Sequence, residues 1–261
     1  MKISVVGMGL IGGSLWKAAR CAGYEVAGFD RGDPVDVSDS GLVLVALPPS
    51  AVVPWIAEYS GRFAPGAIVV DMCGVKAGIC RAVEKLSAGA AWLFVGGHPM
   101  AGKEVSGFAN SDPGLFRGAS MILTPGSDVG EETVAWLADF FAQLGFARTV
   151  VTDPGHHDRM IAFTSQLGHV IANAYVRDPA AHEAAGYAAG SYANMTRIAS
   201  MDPAAWTDLF LANRDALVRS LDGFIARLQE FGGYLRRGDR EKIERCIADG
   251  AKAKKEDGVR R

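Results

Sequence analysis

The chain has few of the features that mark nucleic-acid or membrane proteins. Of its 261 residues, 21% are charged, and the formal net charge is −2 without a long block of one sign. A protein that binds nucleic acid needs a basic face to neutralise phosphates, so this balance argues against such a partner. Apolar runs long enough to cross a bilayer are also missing, which argues against a membrane protein.

Cysteine is scarce, and its spacing helps to indicate the compartment. The four cysteines, Cys21, Cys73, Cys80 and Cys246, include no C-x-x-C pair, although zinc sites and redox dithiols need closely paired thiols. We therefore expect reduced thiols. The apolar stretch after Met1 is interrupted by glycines where a signal peptide would be continuous, so we expect a cytoplasmic protein.

Short apolar segments dominate the first part of the chain. Seven of them, each bounded by Gly, Pro or Asp, predict strands at 2–6, 25–30, 41–47, 67–72, 91–95, 119–124 and 148–152. Helical patterns lie between several of them, at 11–22, 75–86 and 131–144. Near-continuous apolar strands that alternate with helices indicate an α/β Rossmann-type domain with a mostly parallel, doubly wound sheet.

The strand patterns stop after about residue 153. Helical patterns follow at 154–176, 180–188, 203–231 and 240–252. We therefore predict a dinucleotide-binding domain at 1–153 and an all-α domain at 154–261. Four side chains near this boundary, Asp153, His156, His157 and Asp158, could suggest a metal site. Because Asp153 and Pro154 have the pattern of a helix start, we predict no metal there.

A G-x-G-x-x-G motif follows the first predicted strand and opens the first predicted helix, as a dinucleotide-binding loop requires. Gly7 allows the tight turn, Gly9 lets backbone approach a pyrophosphate, and Gly12 lets the helix pack on the strand. The phosphates would meet the positive end of the helix dipole. The alternative is a tight turn that binds no ligand.

Asp30, at the end of the second strand, suits the ribose hydroxyls of NAD and would repel the 2′-phosphate of NADP, whereas Arg31 keeps NADP open. The predicted cofactor-binding residues are Gly7, Gly9, Leu10, Ile11, Gly12, Asp30, Arg31, Leu47 and Pro48. About ten residues, 31–40, separate the second and third strands, too few for a helical crossover. We expect that helix to be missing or reduced to a turn, and the adenine side of the pocket to be more open.

A second glycine-rich segment, at 96–107, leaves the carboxyl end of a predicted strand, where ligands bind in open α/β sheets. It contains His98, whose imidazole titrates near neutral pH and can act as a base. The glycines beside it permit close approach of the backbone. This context favours a catalytic histidine over a structural one.

Several motifs together resemble the prephenate/arogenate dehydrogenases, the cyclohexadienyl dehydrogenases of tyrosine biosynthesis. In order they are G-x-G-L-I-G-G-S from Gly7, G-G-H-P-M-A-G-K-E-x-S-G from Gly96, His157-Asp158, Ser165-Gln166-Leu167-Gly168-His169, M-T-R-I-A from Met195, Asp202-Pro203 with Trp206, and Asn213-Arg214. Their order and spacing match the family from residue 3 to about 230.

The resemblance implies an NAD-dependent oxidative decarboxylation of prephenate or arogenate, which gives 4-hydroxyphenylpyruvate or tyrosine. His98 would take the proton of the ring hydroxyl while hydride passes to the nicotinamide. Arg197 would clamp a substrate carboxylate, and His169 and Ser165, one helical turn apart, would face the substrate. Glu104 would lie at the pocket edge, where ordinary surface charge is the alternative. The family also implies a homodimer through the helical half.

The chain departs from the family beside the substrate. Gly74 stands where the family usually has a serine that hydrogen-bonds the catalytic histidine and the substrate hydroxyl, and losing such a bond costs about 1 kcal/mol. Gln166 and Gly168 replace a histidine and a proline. These changes leave two alternatives: an enzyme of secondary metabolism that acts on 4-amino-4-deoxyprephenate, and a degenerate NAD-binding regulatory protein without catalysis.

Overall fold

A seven-stranded sheet forms the centre of the computed structural model, which describes residues 1–103 and 105–259. Its strands are β1 (Lys2–Val6), β2 (Glu25–Phe29), β3 (Ser40–Val45), β4 (Ile68–Asp71), β5 (Leu93–Pro99), β6 (Ser120–Pro125) and β7 (Arg148–Val151), in the spatial order β2-β1-β3-β4-β5-β6-β7. Only one pair of neighbouring strands in this sheet, β5 and β6, is antiparallel. The predicted mostly parallel, Rossmann-type sheet is confirmed.

Helices cover both faces of the sheet. They are α1 (Leu10–Cys21) and α4 (Glu131–Gln143) on one face, and α2 (Pro49–Tyr59) and α3 (Ala77–Ser87) on the other. In β3, Leu42 and Leu44 pack into the first layer, while Val43 and Val45 pack into the second. Because successive side chains of a strand point to opposite faces, a strand covered on both sides is apolar throughout.

The order of the strands reverses at β1, which has β2 on one side and β3 on the other. In open α/β sheets, ligands bind at the carboxyl ends of the strands beside such a reversal. Residues 30–39, all of which the structure describes, connect β2 to β3 without a helix. The prediction that the usual crossover helix is missing is therefore confirmed.

The helices after β7 are α5 (Pro154–Ile161), α6 (Leu167–Val176), α7 (Gly190–Thr196), α8 (Pro203–Ala212), α9 (Arg214–Arg237) and α10 (Arg240–Val259). A π-helical turn, Ala162–Gln166, joins α5 to α6. The helix predicted at 180–188 is wrong, because Gly186 has a φ of +85° and only a short turn, Pro179–Glu183, precedes it. The helix predicted at 203–231 divides at Asn213, whose side chain bonds to other segments.

Two compact units make up the chain, Met1–Arg214 and Asp215–Arg261. The first contains the whole sheet and α1 to α8, and the second contains α10 and nearly all of α9. The boundary predicted at 153/154 marks the change from strands to helices and stays a prediction. In the part of the chain that the structure describes, no helix is long and apolar enough to span a membrane.

Candidate active site

His98 lies at the carboxyl end of β5, where two glycines precede it. A side chain at position 97 would come within 2.6 Å of the Asp71 carbonyl oxygen and 2.8 Å of the Met121 side chain. A side chain at position 96 would likewise meet Thr124. The glycines therefore let β5 fit between β4 and β6, and this fit fixes the position of His98.

The partly buried imidazole of His98 is the first member of a chain of hydrogen bonds that continues through the buried His157 and Asp158. Its Nδ1 lies 2.9 Å from Nε2 of His157, and Nδ1 of His157 lies 2.8 Å from Oδ1 of Asp158. The Asp158 carboxylate in turn accepts the backbone N–H groups of Lys76 and Ala77, both at 2.8 Å, where α3 begins. In the sequence, His157 and Asp158 appear in a family motif and in a possible metal cluster, but not as partners of His98.

Burial lowers the pKa of His98 well below its usual value. The imidazole is therefore neutral at pH 7, as a general base must be before it takes a proton. The neutral ring also avoids placing a second positive charge close to the buried Lys76 ammonium group.

An ion pair under the site holds two of its segments together. Lys76 and Asp71 are both fully buried and paired through Nζ and Oδ2. The Asp71 carboxylate also accepts the backbone N–H groups of Cys73 at 3.1 Å and Gly97 at 3.3 Å. The same carboxylate thus ties the loop that carries Gly74 to the strand that carries His98.

A cavity of about 450 Å³ opens beside His98. Three residues expected to contact substrate, Gly74, Ser165 and His169, line it together with His98. The Nδ1 of His169 donates to the Ser165 carbonyl oxygen at 3.0 Å, and its ring lies 3.8 Å from that of Trp206, centroid to centroid. The π-helical turn before α6 presents Ser165 on the same wall, as such turns often do at functional sites.

Gly74 leaves space directly in front of the histidine. A β-carbon at this position would lie 3.7 Å from Nε2 of His98 and 3.3 Å from Cδ2 of Leu209. Nε2 is therefore the ring nitrogen that faces this part of the cavity. A serine at position 74 would place its hydroxyl group within hydrogen-bonding reach of that nitrogen.

A second cavity, of about 990 Å³, lies at the ends of β1, β2 and β3. Eight of the nine predicted cofactor residues line it: Gly7, Gly9, Leu10, Ile11, Asp30, Arg31, Leu47 and Pro48. The ninth, Gly12, packs beneath the loop, where a β-carbon would collide with the Gly7 carbonyl. Asp33 was not predicted from the sequence. It also lines this cavity, and its carboxylate accepts the backbone N–H of Asp30 at 2.7 Å.

The loop before α1 has the shape that a pyrophosphate requires. Gly7 has a φ of +89°, which other residues rarely adopt, and the space beside the α-carbon of Gly9 is open. No side chain caps the N-terminus of α1 among the described residues, so its first N–H groups are available to phosphate oxygens. This cavity and the His98 cavity share Gly74 and Leu209 as lining residues.

Comparison with known proteins agrees with this arrangement. Residues 11–151 match the nucleotide-binding domain of prephenate dehydrogenase, and residues 153–249 match its dimerization domain. The chain belongs to the prephenate dehydrogenase family. The cyclohexadienyl dehydrogenase of Zymomonas mobilis is 30% identical over 255 residues, which cover 87% of this chain and 86% of that protein.

Solved structures of the prephenate dehydrogenase family share the fold. Synechocystis arogenate dehydrogenase superposes with a TM-score of 0.85 at 24% identity, covering 98% of this chain and 99% of that one. The prephenate dehydrogenase of Aquifex aeolicus, solved with hydroxyphenyl propionate and NAD⁺, also has a TM-score of 0.85 at 24% identity, with 98% of both chains covered.

One residue that the family resemblance assigns to substrate, Arg197, is not among the described residues that line the His98 cavity. Arg197 is exposed, in a short turn after α7, and its neighbour Ile198 lines the cavity instead. Glu104 lies outside the described residues. Lys103 was part of a family motif but was not predicted as a site residue. It lines the cavity and contacts Asp112 at 3.4 Å.

Cys73, Cys80 and Asp153 each have a simple structural environment. Burial raises the pKa of both Cys73 and Cys80 to about 11, so these thiols are protonated at neutral pH. The Asp153 side chain caps α5 by accepting the His156 N–H at 2.8 Å, as predicted from the sequence.

Proposed function

We propose that this member of the prephenate dehydrogenase family catalyses the oxidative decarboxylation of prephenate or arogenate with NAD as the hydride acceptor. The products are 4-hydroxyphenylpyruvate from prephenate and tyrosine from arogenate. One observation carries the proposal: Nε2 of a neutral, partly buried histidine faces Gly74, at the wall shared by the dinucleotide cavity and a cavity of substrate size.

His98 acts on the hydroxyl group of the substrate. Its Nε2 accepts the hydroxyl proton while the C–H bond on the same carbon gives up its electron pair as hydride. The bond from the ring to its carboxylate breaks, CO₂ leaves, and that electron pair completes the aromatic ring. His98 then returns its proton to the oxygen of the product. Because aromatisation drives the reaction, the protein mainly has to hold the ring in place and assist this proton transfer.

The other side chains position the substrate. Ser165 and His169 provide polar groups in the cavity that Gly74 also lines, and Trp206 supports the His169 ring. Arg197 is proposed to bind a substrate carboxylate, with Glu104 at the edge of the pocket. Lys103 is a second cation for this purpose, because its exposed contact with Asp112 costs little to break.

NAD is favoured over NADP by the charge at the end of β2. The carboxylates of Asp30 and Asp33 both line the adenosine side of the cavity and would repel a 2′-phosphate. Arg31 is the opposing charge, and its backbone N–H donates to Asp30 at 2.9 Å. The absence of a helix over residues 30–39 leaves this side of the cavity without a helical cover.

We also propose that the protein is a cytoplasmic homodimer. The match to the family's dimerization domain supports the dimer. In α9, Val218, Ile225, Leu228 and Leu235 recur at helical spacing and are 40–58% exposed, so they form an apolar stripe suited to a second copy.

A second candidate substrate is 4-amino-4-deoxyprephenate. Gly74 favours it, because an amino group does not require the serine hydroxyl that the family usually places beside the histidine. The reaction class, the base and the cofactor would be unchanged.

The proposal is tested by incubating the purified protein with prephenate, arogenate or 4-amino-4-deoxyprephenate, each with NAD and with NADP, and following absorbance at 340 nm. We expect NADH from prephenate or arogenate, and slower turnover with NADP. Turnover of the amino compound alone would select the second candidate. Turnover of none of them would favour a regulatory protein that has lost catalysis.

A further inference from the structure

We infer that His157 and Asp158 are positioning residues that hold His98 in the tautomer with a proton on Nδ1 and a free lone pair on Nε2. The inference deepens the proposed function and rests on it, because a base is useful only if its lone pair faces the substrate. It is carried by the geometry of the three side chains together with the donor and acceptor capacity of each atom.

At the far end of the chain of hydrogen bonds from His98, Asp158 acts only as an acceptor. The Asp158 carboxylate takes one backbone N–H on each oxygen, from Lys76 and Ala77, at the positive end of α3. Three donors therefore converge on it, including Nδ1 of His157 at 2.8 Å. An ionised carboxylate has no proton to give, so the proton between the two side chains belongs to Nδ1 of His157.

A neutral His157 with a proton on Nδ1 can only accept at Nε2. The 2.9 Å contact between this nitrogen and Nδ1 of His98 is then a bond that His98 donates. A doubly protonated His157 would reverse this bond and leave His98 with a proton on Nε2. That state places a cation on a side chain that is only 2% exposed. The neutral form is favoured for this reason.

The remaining contacts keep the chain of hydrogen bonds in place. His157 and Asp158 lie in the first turns of α5, which Asp153 caps. Asn213 donates to the backbone carbonyl of Asp158 at 2.9 Å and to Gln166 at 2.8 Å. The free lone pair on Nε2 of His98 is thereby presented beside position 74.

The direct test is ¹⁵N NMR of the imidazoles at pH 7.5, which needs no turnover and is therefore separable from the proposed activity. The chain has five histidines, so the signals can be assigned by single substitutions. We expect His98 to be protonated on Nδ1 and unprotonated on Nε2. Wild-type protein with a proton on Nε2 of His98 overturns the inference.

Variants at position 157 separate positioning from packing. In His157→Gln the side-chain carbonyl can still accept from His98, so we expect the tautomer to persist and kcat to stay within about threefold of wild type. In His157→Leu the acceptor is lost, so we expect mixed tautomers, an unchanged Kd for NAD and a kcat lower by about 10- to 100-fold. His156→Leu, at the exposed neighbouring position, is the matched control and should change neither the tautomer of His98 nor kcat.

Because His157 is buried, thermal unfolding of every variant is measured alongside. A folded His157→Leu variant with the wild-type tautomer and kcat overturns the inference. Equal losses of kcat in the Gln and Leu variants, with the tautomer intact in both, also overturn it, since they would show that the histidine only fills space.

Discussion

At the scale of single residues, His98 depends on two neighbours of opposite character. On its Nδ1 side, His157 provides a hydrogen bond in a buried setting. On its Nε2 side, Gly74 provides only space. Substitutions at position 74 therefore test what the histidine acts on, without touching the groups that orient it.

Gly74→Ser should restore the hydroxyl group that the family usually places here. If the substrate carries a hydroxyl, we expect kcat/KM to rise about fivefold, which corresponds to one added hydrogen bond of about 1 kcal/mol. Gly74→Ala is the matched control, because it adds the same β-carbon against Leu209 without the hydroxyl. Equal effects of Ser and Ala would show that the hydroxyl has no partner, and would favour the amino-substituted substrate.

The depressed pKa of His98 also predicts how stability depends on pH. The unfolded imidazole takes up a proton near its usual pKa of 6.5, whereas the folded one stays neutral to a lower pH. The unfolded state therefore binds more protons than the folded state at acidic pH. The contribution of the neutral His98 to the free energy of unfolding is complete above about pH 6.5 and is lost as pH falls. For one proton the slope is at most about 1.4 kcal/mol per pH unit.

Urea unfolding of wild type and His98→Asn at pH 7.5 and 5.5 measures this contribution. We expect wild type to lose more of its free energy of unfolding than the variant on acidification. His157, Asp158 and Lys76, which surround the ring, are common to both proteins, so the difference reports on position 98. Parallel curves for the two proteins would contradict the assigned pKa shift.

At the scale of elements, the sequence was informative wherever the pattern is local. The seven strands, the glycine turn before α1 and the missing crossover helix after β2 follow from apolar runs, glycine spacing and segment length. The break at Asn213 and the turn ended by Gly186 were not predicted. The first depends on partners more than 40 residues away, at Asp158 and Gln166, which no local pattern reveals.

The candidate site was predictable to a similar extent. His98, Ser165, His169 and the cofactor loop could be predicted because they lie in motifs with characteristic spacing, and they line the two cavities. The hydrogen bond between His98 and His157 could not be predicted, because the two residues are separated by 59 positions and meet only when α5 packs beside the end of β5.

Lys76, just before α3, provides a test at this scale. In Lys76→Met the Asp71 carboxylate would stay buried without its counter-ion, so we expect the free energy of unfolding to fall by about 3–5 kcal/mol in urea titrations. The double variant Asp71→Asn/Lys76→Met should recover part of this loss, because no charge is left unpaired. Arg240→Ala, which removes an exposed ion pair with Glu244, is the control and should cost less than about 0.5 kcal/mol. A loss below about 1 kcal/mol in Lys76→Met would show that the pair does not hold the site together.

At the scale of the whole molecule, the apolar stripe on α9 predicts the oligomeric state. Leu228→Glu combined with Leu235→Glu would place charges on the proposed interface, and we expect this variant to sediment as a monomer where wild type sediments as a dimer. Arg240→Ala serves again as a control and should leave the dimer intact. A double variant that remains dimeric would assign the interface to another surface.

In the proposed reaction, this chain joins hydride transfer to decarboxylation with His98 as the base. This proposal is tested most directly by measuring NADH and CO₂ together from the accepted substrate, for wild type and for His98→Asn, with NAD affinity determined by titration. We expect equal amounts of both products from wild type. From the variant we expect neither product above about one part in a thousand of the wild-type rate, and an NAD Kd within about twofold of wild type. Sustained turnover by His98→Asn, or NADH without CO₂, would contradict it.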